Sequence, residues 1–288
     1  MELLLDNIQR YFDFCKERHS IYIKKSRGDS WPWTDDIILQ TYKFTCVYRQ
    51  LDKGTLWLTE NIIKPYSAHP YLFFNVALYR RYNYWPMAQA ILDEYKLLDN
   101  PRKIKELPFF VRAYKDKGNQ VFTGAHMINC AKPCKDKIEY IFDVGAKDLW
   151  AKRLDVEPTG NDNLESAFYK LRTIPGFGDF ITYEVITDLW HTRYLEHAND
   201  IMTWANPGPG ATRGIMRLAN MPVKGKKPKR DDCIEVMKYL LGMSLEYLPN
   251  WMPLWEMRTC EHSLCEYDKY ERVRLGEGRP RAKYHVKE

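Results

Sequence analysis

Apolar residues recur at helical spacing along nearly all of the 288-residue chain, and that period commits a polypeptide to amphipathic helices rather than sheets. Leu3, Leu4, Ile8, Tyr11, Phe12 and Cys15 mark the first, over about 2–19. After the loop Ser26-Arg-Gly-Asp-Ser-Trp-Pro-Trp, Thr34 or Asp35 is placed to cap a helix over about 36–52. The same period predicts helices near 55–63, 70–83, 86–97, 102–114, 123–131, 146–153, 163–171, 179–193, 211–219, 232–246 and 263–274. Strand signals are few. Ile138-Glu-Tyr-Ile-Phe-Asp-Val alternates, but one short strand makes no sheet. The expected class is therefore all-α. No internal repeat or low-complexity linker marks a boundary, so residues 1–288 read as one domain, with enough apolar content for a large core in one body or two lobes.

Forty-four basic against 38 acidic residues give a net charge of +6, which suits a polyanionic partner without requiring one. No apolar run is long enough to cross a membrane, and the N-terminus Met-Glu-Leu-Leu-Leu-Asp-Asn lacks a basic leader, so the expected location is the cytoplasm. Seven cysteines at irregular positions fit reduced thiols. Cys130-x3-Cys134 and Cys260-x4-Cys265 lack zinc-ribbon spacing, and no metal site is expected.

The sharpest local motif is Thr173-Ile-Pro-Gly-Phe-Gly-Asp-Phe-Ile-Thr-Tyr-Glu. An apolar residue, Pro, Gly, an apolar residue and Gly at the start of a helix form the signature of a helix-hairpin-helix, here over about 163–193. Gly176, Phe177 and Gly178 would let backbone N–H groups approach a DNA phosphate, aided by the helix N-terminus. Such a turn positions a strand and reads no sequence. A plain helix-helix loop is the alternative reading. Two basic segments are candidate companions on DNA. One is Lys224–Arg230, with Lys226, Lys227, Lys229 and Arg230. The other is the C-terminal stretch with Lys269, Arg272 and Arg279, whose tail from 272 to 288 is glycine-broken.

A hairpin in an all-helical chain invites comparison with base-excision glycosylases. Their catalytic Asp lies some twenty residues beyond the last hairpin glycine; here that count from Gly178 reaches Ala198, and the nearest acid is Asp200. The Schiff-base lysine of their bifunctional members is replaced by Phe180. The chain offers instead Asn206-Pro-Gly-Pro-Gly-Ala-Thr-Arg-Gly, where Gly208, Gly210 and Arg213 open a helix suited either to an anion or to ordinary packing.

Six ordered segments together resemble a family. They are Pro32–Asp52, Phe73-Phe-Asn-Val-Ala-Leu-Tyr-Arg-Arg-Tyr-Asn, Phe122-Thr-Gly-Ala-His-Met-Ile, Pro175–Leu189, Gly208-Pro-Gly-Ala-Thr-Arg-Gly and Glu261-His-Ser-Leu-Cys-Glu-Tyr-Asp-Lys-Tyr. They look like the glycosylase-related helical proteins of bacteriophage thymidine hypermodification. These include the amino acid:DNA transferases (α-glutamyl/putrescinyl thymine pyrophosphorylases) and the helical domain of 5-hydroxymethyluracil DNA kinases. The chain contains no Gly-x4-Gly-Lys-Ser/Thr phosphate loop, so by itself it does not look like the kinase.

The resemblance implies a two-lobed helix-hairpin-helix glycosylase-like fold and double-stranded phage DNA with modified pyrimidines in the host cytoplasm. It implies an amine or amino acid such as glycine displacing the (pyro)phosphate of phosphorylated 5-hydroxymethyluracil, and a functional link to a DNA kinase. No cofactor is implied, and a divalent metal is left open. Arg80, Arg81 and Asn83, with Asn75 and His126 from the matched motifs, are candidates for substrate binding, together with Gly208, Gly210 and Arg213. Arg80 and Arg81 also read as a solvated helix end, and His126 and His262 also read as structural. For the base, Glu184 and Asp188 share a helix face, where a buried pair would have one raised pKa, and Glu184 reads equally as part of a salt-bridged surface; Asp188, among Ile186, Leu189 and Trp190, is preferred over Asp200. A non-catalytic DNA-binding partner of the kinase and a base glycosylase remain as alternatives.

Overall fold

The structure is a computed structural model and describes residues 1–123 and 130–284. Among the described residues it holds twelve α-helices and no strand. These are α1 (Leu5–Arg27), α2 (Ile37–Thr41), α3 (Lys53–Leu58), α4 (Leu72–Tyr82), α5 (Trp85–Tyr95), α6 (Pro101–Asp116), α7 (Gly145–Val156), α8 (Leu164–Leu171), α9 (Asp179–Leu189), α10 (Pro209–Leu218), α11 (Arg230–Tyr247) and α12 (Met257–Arg274). The chain divides into two compact units, Met1–Asp52 with Ile201–Glu288, and Lys53–Asp200. Neither crossing lies in a Gly- or Pro-rich linker, which is why composition marks no boundary there.

In the 53–200 unit, α4 and α9 pack against each other and are buried on nearly every face, from Leu72 to Tyr82 and from Thr182 to Leu189. A helix enclosed in this way cannot carry its polar side chains into water. Arg80 and Arg81 at the end of α4 are consequently core residues rather than the decoration of a solvated C-terminal turn. In the unit built from both chain ends, α10 and α12 pack closely, and Tyr11 and Phe12 of α1 meet Trp255 and Tyr267 at aromatic edge and tilted contacts. The Tyr11 hydroxyl is 2.6 Å from Ser263 Oγ, which satisfies both groups inside the core.

Two local readings are corrected. The helix expected over 36–52 stops at Thr41, and Tyr42 is extended. Side chains capture the backbone that follows: Arg18 donates to the Phe44 carbonyl, and Cys46 N donates to Asp52 Oδ1 at 2.9 Å. Those bonds replace the helical ladder. The alternating segment Ile138–Val144 is not a strand but a π-helical turn, Glu139–Val144, running directly into α7. The C-terminal tail is tied back up to Tyr284. Lys43 N donates to Ala282 O, Tyr284 N donates to Thr41 O, and the Tyr284 ring meets Trp33. Of the helix expected near 123–131, residues 124–129 lie outside the described residues.

Candidate functional site

The hairpin in the 53–200 unit is built by two capped helices around a folded turn. Asn163 and Ser166 form a reciprocal capping box at the start of α8. Asp200 adds its carboxylate, accepting from Leu164 N at 2.8 Å and Glu165 N at 3.0 Å. Asp200, expected as the alternative acid, is thus engaged through both oxygens in holding a helix start. In the turn, Ile174 and Phe177 are buried and anchor it, and Phe177 N donates to the Ile174 carbonyl. The Phe177 side chain therefore faces the core and not DNA. Pro175 and Gly178 are exposed.

The two hairpin glycines do different work. Gly176 has φ +85°, and a Cβ there would overlap the Arg81 guanidinium. Gly178 precedes α9, and a Cβ there would meet nothing within 4 Å. Gly178, the cap residue of α9, brings no side chain to its first-turn N–H groups, which in any helix lack intrahelical acceptors. The inner glycine makes room for a cation, and the outer one leaves the helix start approachable.

Beside the hairpin is a buried arginine–carboxylate centre. Arg80 reaches both oxygens of Asp188, through Nε to Oδ2 and through Nη2 to Oδ1 at 2.7 Å. Its Nη2 also donates to Thr55 Oγ1 and its Nη1 to Asn83 Oδ1, each at 2.9 Å. Glu184 Oε2 stands 3.6 Å from Nη1. Asn83 holds its place by taking the left-handed conformation (φ 47°) that ends α4. Arg80, Asn83, Glu184 and Asp188 are therefore brought together. The expected pair of like charges on α9 has a guanidinium between its members, and Asp188 commits both oxygens to it. The apolar neighbours that suggested an isolated carboxylate are present, but Arg80 enters from α4, a contact no local window contains.

Arg81, the next residue, has no carboxylate within ion-pair distance among the described residues. Its guanidinium lies 5.0 Å from the Tyr140 ring and 5.3 Å from the Phe177 ring, and its Nη2 donates to Tyr140 O at 3.4 Å. Burial pushes its pKa down, only partly offset by Tyr140 and Asp148. Asn75 serves the fold. Its amide donates to the Tyr71 and Leu98 carbonyls and accepts from Leu98 N. His126 lies outside the described residues.

In the other unit, the expected anion cradle is filled by the protein itself. Gly208 N donates to Glu261 Oε1 at 3.2 Å. A Cβ on Gly210 would overlap Cys265 Sγ, and one on Gly214 would overlap the Leu264 carbonyl, so these glycines let α10 approach α12. Arg213 pairs with buried Asp268 at 2.8 Å, as does Arg217, which also reaches Glu277 at 2.7 Å. Burial disfavours the Arg217 charge, yet Glu277 and Asp268 outweigh it and raise its pKa. The spacing of Gly208-Pro-Gly-Ala-Thr-Arg-Gly is that of a helix packing face, a reading left open by sequence.

Of the basic residues, Lys224, Lys226, Lys227 and Lys229 are exposed on one loop, and Arg279 is exposed in the tail. Arg230 is half-buried, its guanidinium 5.6 Å from the Trp204 ring. Lys269 pairs with Glu266 and covers the Phe44 ring, and Arg272 stands 3.6 Å from Asp268. His262 Nε2 is 2.8 Å from Thr45 Oγ1, a structural contact. All seven cysteines are free thiols, and no cluster of metal-ligating side chains occurs among the described residues. None of the described helices is long and apolar enough to cross a membrane.

Residues 6–279 match the family described as "5-hmdU DNA kinase, helical domain". The chain is 30% identical over 236 residues to the 5-hmdU DNA kinase of Bacillus phage SP10, covering 71% of this chain and 35% of that protein. It thus spans about a third of that relative's length. No solved structure matches it. With almost its whole length matched, the chain belongs to the family of 5-hmdU DNA kinase helical domains.

Proposed function

We propose that the chain modifies hydroxymethyluracil-containing phage DNA, replacing the phosphate or pyrophosphate of phosphorylated 5-hydroxymethyluracil with an amine such as glycine. The observation that carries the reading is the Arg80–Asn83–Glu184–Asp188 centre, buried beside a hairpin turn in a chain of this family. In the proposed reaction the amine nitrogen attacks the exocyclic methylene carbon. The carbon–oxygen bond breaks with its electron pair leaving on the phosphate oxygen, and the surplus amine proton passes to a carboxylate.

Glu184 is assigned that proton. Asp188 gives both oxygens to Arg80 and serves as the positioning residue that fixes the guanidinium beside Glu184. The hairpin would grip the DNA backbone, with a glycosylase-like helical arrangement presenting an extruded base. The Gly208–Arg213 start has no part in the proposed centre, because Glu261 and Asp268 take its donors. The given residues contain no Gly-x4-Gly-Lys-Ser/Thr phosphate loop, and the kinase step is no part of the proposed reaction.

A second reading, a non-catalytic DNA-binding partner of a hydroxymethyluracil kinase, is favoured by the complete pairing of Asp188 with Arg80. Incubation with phosphorylated hydroxymethyluracil DNA and glycine, then nucleoside mass spectrometry, separates the readings. An aminated nucleoside supports transfer, unchanged DNA supports the partner role, and an abasic site would return base excision. If transfer occurs, Glu184→Gln is expected to cut turnover about 100-fold while DNA binding persists. Full turnover in that variant would remove Glu184 from the reaction.

A further inference from the structure

In the unit built from both chain ends, cations gather where no carboxylate answers them. Lys24, Lys25 and Arg27 lie in the last turn of α1, and Lys43 follows α2. Lys25 Nζ is 5.0 Å from the Trp33 ring and 5.1 Å from the Tyr284 ring, and Lys43 Nζ is 5.7 Å from the same Tyr284 ring. The two rings meet edge to face at 5.6 Å. Lys24 Nζ donates to Trp33 O at 2.7 Å and ties the loop to the helix. Among the described residues, Lys25, Arg27 and Lys43 have no carboxylate within ion-pair distance, and all three are exposed.

The charge exceeds what the helix end calls for. Basic residues in a last turn suit the dipole of α1, but Lys43 is outside that helix and Arg18 lies two turns before Lys25. Arg18 is 6% exposed, and its Nη1 has no hydrogen-bond partner among the described residues. These cations act on one another: burial and then Arg18 push the Lys25 pKa down, Cys46 opposes, and Lys43 lowers it further. Like charges held together in this way repel in the free chain and favour an anionic partner. The tail sorts them by face. Tyr42 pairs with Lys283 in an antiparallel bridge, and the alternation of an extended pair places Lys43 and Tyr284 on one face. Lys283 goes to the other, 5.7 Å from the Tyr42 ring.

The Trp33 and Tyr284 rings are taken up in holding the lysines. Trp31, two residues before Trp33, is 41% exposed. An exposed indole beside cations without carboxylates is the composition of a strand-binding surface, where cations track phosphates and a ring stacks on a base. A duplex hides its base faces in its own stack, so the ring selects an unpaired strand. We infer that Lys25, Arg27, Lys43 and Trp31 form a ledge that binds single-stranded DNA, the cations on its phosphates and Trp31 stacked on one base. This rests on DNA as the partner and not on amine transfer. Trp33 and Tyr284 are positioning residues, and the ledge reads no sequence, because every base has a face to stack.

The test uses the full chain and an unmodified oligonucleotide, offered as a single strand and as a duplex. Affinity is measured across salt concentrations, and the thermal midpoint without DNA. Trp31→Ala is expected to weaken single-strand binding about tenfold, the scale of one stacked base. Its midpoint, salt slope and duplex affinity should stay as wild type, because an exposed ring is lost and no charge. Lys25→Gln with Lys43→Gln should lower the single-strand salt slope by about 0.7 unit per lost contact. Lys283→Gln, on the opposite face, should leave that slope unchanged. Wild-type single-strand affinity in Trp31→Ala overturns the inference, as does an unchanged slope in the double variant or an equal loss per charge in Lys283→Gln. If the wild-type chain binds the duplex and not the single strand, the ledge falls and DNA as partner stands; if it binds neither, both fall.

Discussion

At the start of α9, Gly178 has open space around its Cα and brings no side chain to the helix start, and Gly176 in the same turn lies against the Arg81 guanidinium. At the start of α10, Gly208 N donates to Glu261, Gly210 and Gly214 lie against α12, and Arg213 is tied to Asp268. In sequence the two starts look alike: Pro-Gly-Phe-Gly-Asp before one, Gly-Pro-Gly-Ala-Thr-Arg-Gly at the other. Both spell out a flexible backbone at a helix N-terminus, which is the general recipe for holding an anion. The difference is what stands opposite. A helix start that faces its own protein's carboxylate has its anion already, whereas the cap residue of α9 brings no side chain of its own.

The largest expected effect separates the two starts by stability. Gly214→Val drives a side chain into the Leu264 backbone, which cannot swing aside, and should destabilise by about 3 kcal/mol or more. The same substitution at Gly178 should stay within about 1 kcal/mol. Thermal denaturation of the two variants side by side is the measurement, and equal losses would erase the contrast.

Removing Asp200 comes next. Asp200→Ala strips an acceptor from two first-turn N–H groups of α8 and is expected to lower stability by about 1–2 kcal/mol without producing or abolishing any base-excision product. Loss of an excision activity in that variant would instead give Asp200 a chemical role.

A smaller effect is expected from Glu261→Ala, which should cost about 1 kcal/mol by leaving Gly208 N without its carboxylate. This change unplugs the start of α10. If added sulfate then stabilises the variant but not the wild type, the two starts differ only in whether the anion is built in. No sulfate effect would mean that α10 is not an anion site even when opened.

The mildest change is on the exposed loop. Neutralising Lys226, Lys227 and Lys229 should leave the thermal midpoint untouched, because all three are exposed. The slope of log affinity against log salt should fall by about one unit per lost phosphate contact. An unchanged slope places the DNA elsewhere.

Part of this molecule is written in local order. Helical class follows from apolar spacing, since a 3.6-residue period is a property of each segment and survives tertiary packing in α4, α6, α9 and α11. The alternating Ile138–Val144 misled because aromatic and β-branched residues fit a buried π-helical turn as well as a strand. The 42–48 segment misled because the Phe44 carbonyl is taken by Arg18, 26 residues away, and Cys46 N by the Asp52 side chain rather than by a backbone carbonyl.

The candidate site divides along the same line. Sequence alone picked out Arg80 and Asn83 at a helix end and Glu184 and Asp188 on one helix face, because polar and charged residues interrupting apolar helices are conspicuous, and it marked Gly176, where only glycine tolerates φ near +85° without strain. The roles of those residues depended on what came near them from distant positions. Arg80 crosses 108 residues to bind Asp188, Glu261 reaches 53 back to Gly208, and Arg81 settles against Gly176 with no carboxylate within ion-pair distance among the described residues. A charge is legible in one dimension, but its counter-charge is a fact of three, and here that decided which arginine is paired, which carboxylate is committed and which helix start faces outward.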